Sequence, residues 1–319
     1  MLYYIVAHSA DPDGIITHAL LDRALEDESR EHYFVDYPDL HETLQKVRWK
    51  EPGKVIIADM NLDDVLRNSD TLRKLNDRHG YLEWYDHHQG SIRQQEFLRE
   101  YCDPVIVAPN FCAAALVHDQ YFSGDPYALA LAHLAQVHDF ERTDDPRAPI
   151  AYSLQDIIAS GQDLSQLVSD LATGKIWTDN QWNKFTPAYQ KTLHLFNERK
   201  QEAYQRLEDS VEQRNIGGYR VAFAFSDPLL YMKLAPQHLE RKIKTDCVVV
   251  LYQGNSNVMV YGYNHLGKDI PTFCNENGGG GRGHAGGFTI DHEVTADSVQ
   301  SDKEMVAEKL ERFFQSRAA

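Results

Sequence analysis

The 319-residue chain holds only four cysteines, Cys102, Cys112, Cys247 and Cys274, with no CxxC pair among them. This excludes a zinc ribbon and leaves no disulfide framework. The expectation is four buried thiols in a reducing compartment. Positive charge is also scarce, with 32 Lys and Arg against 48 Asp and Glu, a net of -16. Long nucleic acid held by its backbone needs a basic surface that releases counterions, so it is excluded as a partner. No stretch approaches the roughly 18 consecutive apolar residues of a membrane span. There is no nucleophile-elbow GxSxG and no P-loop GxxxxGK. The opening residues MLYYIVAHSADPDG carry no basic leader and read as a first strand rather than a signal peptide. A cytoplasmic protein with no membrane partner is expected.

What is present is the composition of a globular protein, 42% hydrophobic and 25% charged. The length suits two domains. The acid excess is uneven: residues 216–319 hold 12 acids and 11 Lys and Arg, which leaves a net of -15 for residues 1–215. Most of that excess reads as solvated surface, and part of it can serve cations.

Strand-like and helical runs alternate through the first half. LYYIVA (2–7), HYFVDY (32–37), KVIIAD (54–59), YLEWYD (81–86) and VIVAP (105–109) are separated by helical patterns, the first being ITHALLDRALE from Ile16. Such alternation predicts a parallel sheet flanked by helices, with ligands collecting beyond the carboxyl ends of the strands. Residues 110–212 read as helical. One long helix over 185–214 has Pro187 near its start and Gly217 and Gly218 beyond its end. YRVAFAF, CVVVLYQ, NVMVYGY and FTIDHEV then alternate with helical runs near 231–242 and 302–315. The expected fold class is α/β, a parallel β-sheet flanked by helices and joined by a helical connector to a smaller α/β domain. The expected bounds are 1–185, a connector at 186–215 and a second domain at 216–319.

Three strand ends carry the chemistry. AHSADPDG presents His8, Asp11 and Asp13; IIADMN presents Asp59; YDHHQ presents Asp86, His87 and His88; and Asp139 follows an apolar helical run in AQVHDFER. Taken singly, a DxD is a turn or cap, a DHH is a surface turn, and an acid after a strand caps the next helix. Jointly they read otherwise, because several carboxylates in one crevice repel unless cations neutralise them, and mixed Asp and His ligands suit a divalent ion such as Mn²⁺. Four ionised acids, Asp11, Asp13, Asp59 and Asp139, balance two divalent ions rather than one.

The four pieces HSADPDG, VIIADMN, YDHHQG and QVHDFER, in that order, resemble the motifs of the DHH phosphoesterase family. NGGGGRGHAGGF (277–288) is similar to the glycine-histidine loop of that family's C-terminal substrate-binding domain. Length and layout are similar to its short-oligoribonucleotide hydrolases and its 3′-phosphoadenosine 5′-phosphate phosphatases. The resemblance implies one metal held by His8, Asp11 and Asp59, and a second held by Asp13, Asp59, His87 and Asp139, with Asp59 bridging. His88 would face the substrate phosphate, and Asp86 would orient a neighbouring histidine. Manganese is the expected ion, with magnesium as the alternative. Two departures stand out. Only Ser9 and Ala10 separate His8 from Asp11, where many members have three residues, and Arg282 replaces the histidine that usually follows the glycine run, with His284 two residues on.

The run Gly279, Gly280 and Gly281 reads either as a flexible turn or as backbone open to an anion, with Arg282 and His284 completing a phosphate grip. Asn264 and His265, after a strand, are further candidate substrate contacts. Arg241, Lys242 and Lys244 read as a solvated helix end, His133 as structural, and Trp177 and Trp182 as packing for the connector. The expected activity is hydrolysis of very short RNA bound between the two domains, especially linear dinucleotides such as pGpG, to mononucleotides. Phosphatase action on 3′-phosphoadenosine 5′-phosphate is the runner-up, ahead of hydrolysis of cyclic dinucleotides. A nucleotide-binding module without catalysis is the rival from another class, and a family-two pyrophosphatase the rival among enzymes. The resemblance makes a homodimer the candidate assembly.

Overall fold

Alternation within the strands sets the layers of the first unit. In the computed structural model Tyr3, Ile5 and Ala7 enter one apolar cluster while Tyr4 and Val6 enter another, as the two-residue period of a strand dictates. The described residues are 1–62, 64–178, 183–230 and 234–318, without the side chains of Pro38, Asp64, Asn264, His265, Arg282 and Ala318. The chain divides into a unit of Met1–Phe196 and a unit of Asn197–Ala319.

In the first unit β1 (Leu2–His8), β2 (Ser29–Val35), β3 (Lys54–Ala58), β4 (Leu82–Asp86) and β5 (Val105–Val107) form an all-parallel sheet in the order β2-β1-β3-β4-β5. Between the strands run α1 (Pro12–Ala24), α2 (Leu40–Arg48), α3 (Asp64–Asn68), α4 (Thr71–His79), α5 (Gln89–Arg93) and α6 (Gln95–Arg99). After β5 come α7 (Ala113–Tyr121), α8 (Pro126–Asp139), α9 (Ala148–Ala159) and α10 (Leu164–Thr173), and α11 (Pro187–Asp209) starts in this unit and runs on into the second. Helices α1 and α7 to α10 cover one face through Ile16, Leu20, Val117, Leu131, Leu154 and Leu167. Helices α2, α3, α4 and α6 cover the other through Leu44, Leu66, Leu75 and Leu98. A sheet buried on both faces explains why its strands are continuous apolar runs.

In the second unit β6 (Glu212–Ile216), β7 (Tyr219–Ser226), β8 (Cys247–Tyr252), β9 (Asn257–Gly262), β10 (Gly280–Arg282) and β11 (Ala285–Thr289) form a mixed sheet ordered β10-β11-β9-β8-β7-β6, in which β7 and β8 are parallel. Helices α13 (Asp269–Glu276) and α14 (Val299–Ala318) pack on one face through Phe273, Leu310 and Phe313. α12 (Leu234–Lys242) packs on the other through Ala235 and Leu239, beside Ala203 and Leu207 of α11.

Four local expectations are corrected. The first helix begins at Pro12, not Ile16, because extended Asp11 caps it, accepting from Gly14 N at 3.2 Å, and Pro12 takes the first helical position. The long helix ends at Asp209, not at 214. Residues 212–216 form an edge strand, and Gly217 and Gly218, both at positive φ, make the two-residue turn into β7 rather than a helix stop. The strand FTIDHEV stops at Thr289. The glycine run is neither a loose turn nor an open loop, since Gly280–Arg282 pairs with Ala285–Gly287 as a hairpin. A Cβ on Gly279 would lie 1.9 Å from Gly287 O, and one on Gly286 would lie 2.7 Å from Cys274 Sγ, so close packing accounts for those glycines.

The four cysteines are free and buried. Trp177 is a core residue whose Nε1 donates to Tyr127 Oη at 3.1 Å, while Trp182 lies outside the described residues. Among the described residues no helix is long and apolar enough to cross a membrane.

Candidate metal centre

Four segments meet at the carboxyl edge of the first sheet. β1 ends on His8, and α1 packs so tightly above it that a Cβ on Gly14 would lie 2.1 Å from His8 O. Glycine at that position lets the helix start, and hence Asp11 and Asp13, sit directly over the strand end. β3 ends before Asp59, a non-glycine residue held at φ 53 whose N-H donates to Tyr85 O at 2.9 Å. A left-handed aspartate costs energy and persists where its surroundings over-determine it. β4 ends on Asp86, and Asn61 Oδ1 accepts from Gly90 N at 3.1 Å, tying the loop after β3 to the loop after β4. Asp139 is the last residue of α8.

The ligand atoms of His8, Asp11 and Asp59 lie within 4.8 Å of one another, and so do those of Asp13, His87 and Asp139. Asp59 faces both groups, with Oδ2 3.7 Å from His8 Nδ1 and Oδ1 3.4 Å from His87 Nε2. His87 Nε2 is also 3.8 Å from Asp13 Oδ2, and its Nδ1 is 3.5 Å from Asp139 Oδ2. The short interval between His8 and Asp11 does not part them, since His8 turns Nδ1 to Asp11 Oδ2 at 3.1 Å. His88 Nδ1 is 2.7 Å from Asp86 Oδ1, so the fully buried Asp86 orients His88 in particular.

The electrostatics call for cations. Burial, and then the charges of Asp13, Asp11, Asp86 and Asp139, push the Asp59 carboxyl well above its ordinary range. Burial and the charge of Asp13 push Asp139 up to about 6 against the opposing pull of His87. Asp59 Oδ2 and His87 Nε2 are buried without a hydrogen-bond partner. Orphaned buried ligand atoms of this kind otherwise cost on the order of 1–3 kcal/mol each. Hard carboxylate oxygens mixed with imidazole nitrogens suit a divalent ion of the Mn²⁺ or Mg²⁺ type. The residues present fit the two ions.

Three supporting residues escape the sequence reading. Asp13 accepts 2.8 Å hydrogen bonds from Ala113 N and Ala114 N at the start of α7, and Gln136 Oε1 accepts from Cys112 N at 3.1 Å while its Nε2 donates to Asn110 O. Gln136 thus fixes the helix end that holds Asp13, and no local motif reports it. Asp36 and Tyr37 follow β2, which neighbours β1, so this fourth strand end also opens on the site. Its signal was visible in HYFVDY, an apolar strand closing on an acid and a tyrosine.

The candidate substrate contacts belong to the second unit. Gly279, Gly280 and Gly281 lead into and form the edge strand β10, and exposed His284 follows in the turn. The side chains of Asn264, His265 and Arg282 lie outside the described residues. Lys242 sits 3.3 Å from Glu208, a solvated helix end as expected. His133 receives Arg147 Nη1 at 2.9 Å on the surface of α8.

No family model and no curated protein sequence matches the chain. Solved structures do. The exonuclease RecJ bound to manganese is similar with a TM-score of 0.61 and 15% identity over 98% of this chain and 90% of that one. The DHH domain of a member of the s1p family of ribosomal proteins gives 0.58 and 15% over 97% and 86%. The pGpG-specific phosphodiesterase PggH from Vibrio cholerae gives 0.56 and 13% over 97% and 98%. The chain shares the fold of these three structures.

Proposed function

We propose that this chain is a two-metal phosphodiesterase that hydrolyses very short RNA, especially linear dinucleotides such as pGpG, to mononucleotides. The observation that carries the reading is the convergence of six ligand side chains in two adjacent groups, with Asp59 of one group 3.4 Å from His87 of the other and with Asp59 Oδ2 and His87 Nε2 left unpartnered. His8, Asp11 and Asp59 would hold one cation, and Asp13, Asp59, His87 and Asp139 the other. When bound, the pair supplies an activated water and neutralises charge on the phosphoryl oxygens.

The chain's own groups do the rest. Asp86 fixes the His88 ring through Nδ1, and Nε2, which lies 3.0 Å from the Tyr37 hydroxyl, can hand a proton to the leaving 3′-oxygen once the substrate displaces or shares that hydroxyl. The oxygen of water joins phosphorus, the bond from phosphorus to the 3′-oxygen breaks, and two 5′-mononucleotides leave. PggH, named as pGpG-specific and similar over nearly its whole length, supports the dinucleotide choice. The net of -16 supports a short substrate over a long strand.

The test is incubation with Mn²⁺ and, separately, pGpG, pApA, a seven-nucleotide RNA, 3′-phosphoadenosine 5′-phosphate, cyclic di-GMP and inorganic pyrophosphate, with products resolved by chromatography. Mononucleotide release fastest from the dinucleotides is expected. Preferred loss of phosphate from 3′-phosphoadenosine 5′-phosphate would overturn the substrate choice, and preference for inorganic pyrophosphate would overturn the diesterase itself.

A further inference from the structure

We propose that Tyr37 is a positioning residue of the metal centre, a clamp that fixes both His8 and His88. Its ring stacks on His8 with centroids 4.4 Å apart and planes at 29°, and its hydroxyl lies 3.0 Å from His88 Nε2. The rings of Tyr37 and His88 meet edge-on at 5.4 Å. One side chain therefore touches a candidate ligand of the first metal and the histidine assigned to the phosphate.

The hydrogen-bond accounting makes the contact specific. Asp86 Oδ1 takes His88 Nδ1 at 2.7 Å, so Nε2 is the nitrogen left over, and Tyr37 occupies it. A hydroxyl suits that place whichever way the ring is protonated, since it donates to a neutral Nε2 and accepts from a protonated one. Asp36, the preceding residue, takes Ser9 Oγ at 2.9 Å and stands 3.7 Å from His8 Nε2, which pins the same turn to the end of β1. The chain Asp86, His88, Tyr37 is thus anchored on two strands, β4 and β2. A substrate phosphate reaching His88 must either displace the phenol or share it.

This inference rests on the function proposed above, and its test separates the two. Tyr37→Phe keeps the stack on His8 and removes only the hydroxyl, whereas Tyr37→Leu removes both. With pGpG and Mn²⁺, Tyr37→Phe is expected to lower kcat about 10- to 100-fold with KM little changed. Tyr37→Leu is expected to weaken Mn²⁺ binding as well, by about tenfold in calorimetry. In ¹⁵N-histidine-labelled protein with diamagnetic Mg²⁺, the Nε2 signal of His88, assigned by its loss in His88→Gln, is expected to move in Tyr37→Phe. Unchanged kcat in an active Tyr37→Phe variant, or a loss confined to KM, would overturn the positioning role. If wild-type protein cleaves no nucleotide, the proposed function fails, and the nitrogen signal still decides the clamp: a shift sustains it and a fixed signal overturns it.

Discussion

Asp59 carries two burdens in one residue, a left-handed backbone and a buried carboxyl surrounded by four other acids. Both make sense only if the side chain is wanted where it is for function, since stability alone would select another residue. Asp59→Asn removes the charge while keeping a residue that tolerates positive φ. The expected outcome is loss of at least about 10³-fold in turnover. The metal-free variant should nonetheless melt roughly 2–4 °C above metal-free wild type at neutral pH, for about 1 kcal/mol of relieved repulsion. Thermal melts with and without chelator check this. A variant that lost both activity and metal-free stability would mean that Asp59 is structural.

Elements, more than single ligands, hold the geometry. Asp13 is gripped by two N-H groups at the start of α7, and Gln136 from α8 fixes that helix end. Gln136→Leu touches none of the candidate ligands, yet is expected to lower kcat about 10- to 100-fold and stability by about 1–3 kcal/mol, read by kinetics and urea unfolding. A second clamp ties α1 to β2. Asp22 accepts from Arg30 Nε and lies 3.1 Å from His32 Nε2, and Arg30 Nη1 donates to Leu25 O and Glu28 O. Burial raises the Asp22 carboxyl, but the hydrogen bonds from His32 and Arg30 prevail and hold it at about 2. A lowered acid stabilises the fold above its unfolded value near 4 and loses that contribution as pH falls through about 2. Asp22→Asn should therefore cost roughly 1–2 kcal/mol at pH 7 and little near pH 2. Equal costs at both values would show that charge is not the cause.

The same scale separates what the residues disclosed from what they hid. HSADPDG, ADMN and DHHQG were legible because each couples an apolar strand to polar residues at its carboxyl end, a pattern written in consecutive positions. The start of α1 was hidden because helix α1 is buried from Pro12 to Leu21 and so shows no amphipathic stripe. Strand β6, with its sequence EQRNI, reads as the tail of a charged helix and becomes a strand only by pairing with β7. Gln136 and Tyr37 act across 24 and 51 positions of sequence, on Cys112 and His88, and that separation leaves no local trace.

On the scale of the whole molecule, the uneven charge acquires a reason. The unit that concentrates acids is the one whose sheet edge gathers them around two ligand groups, where their charges raise the cost of the buried Asp59 carboxylate and bound cations would lower it. Ions that bind only the folded state should stabilise it by about 2.7 kcal/mol at a hundredfold excess over Kd, visible as a chelator-reversible rise in melting temperature. The decisive measurement is equilibrium Mn²⁺ titration of chelator-treated protein, followed by metal analysis after gel filtration. Two ions per chain for wild type, and no more than one for Asp59→Asn, is the predicted result. Two ions bound equally well by Asp59→Asn, or none by wild type, would contradict the shared-aspartate centre.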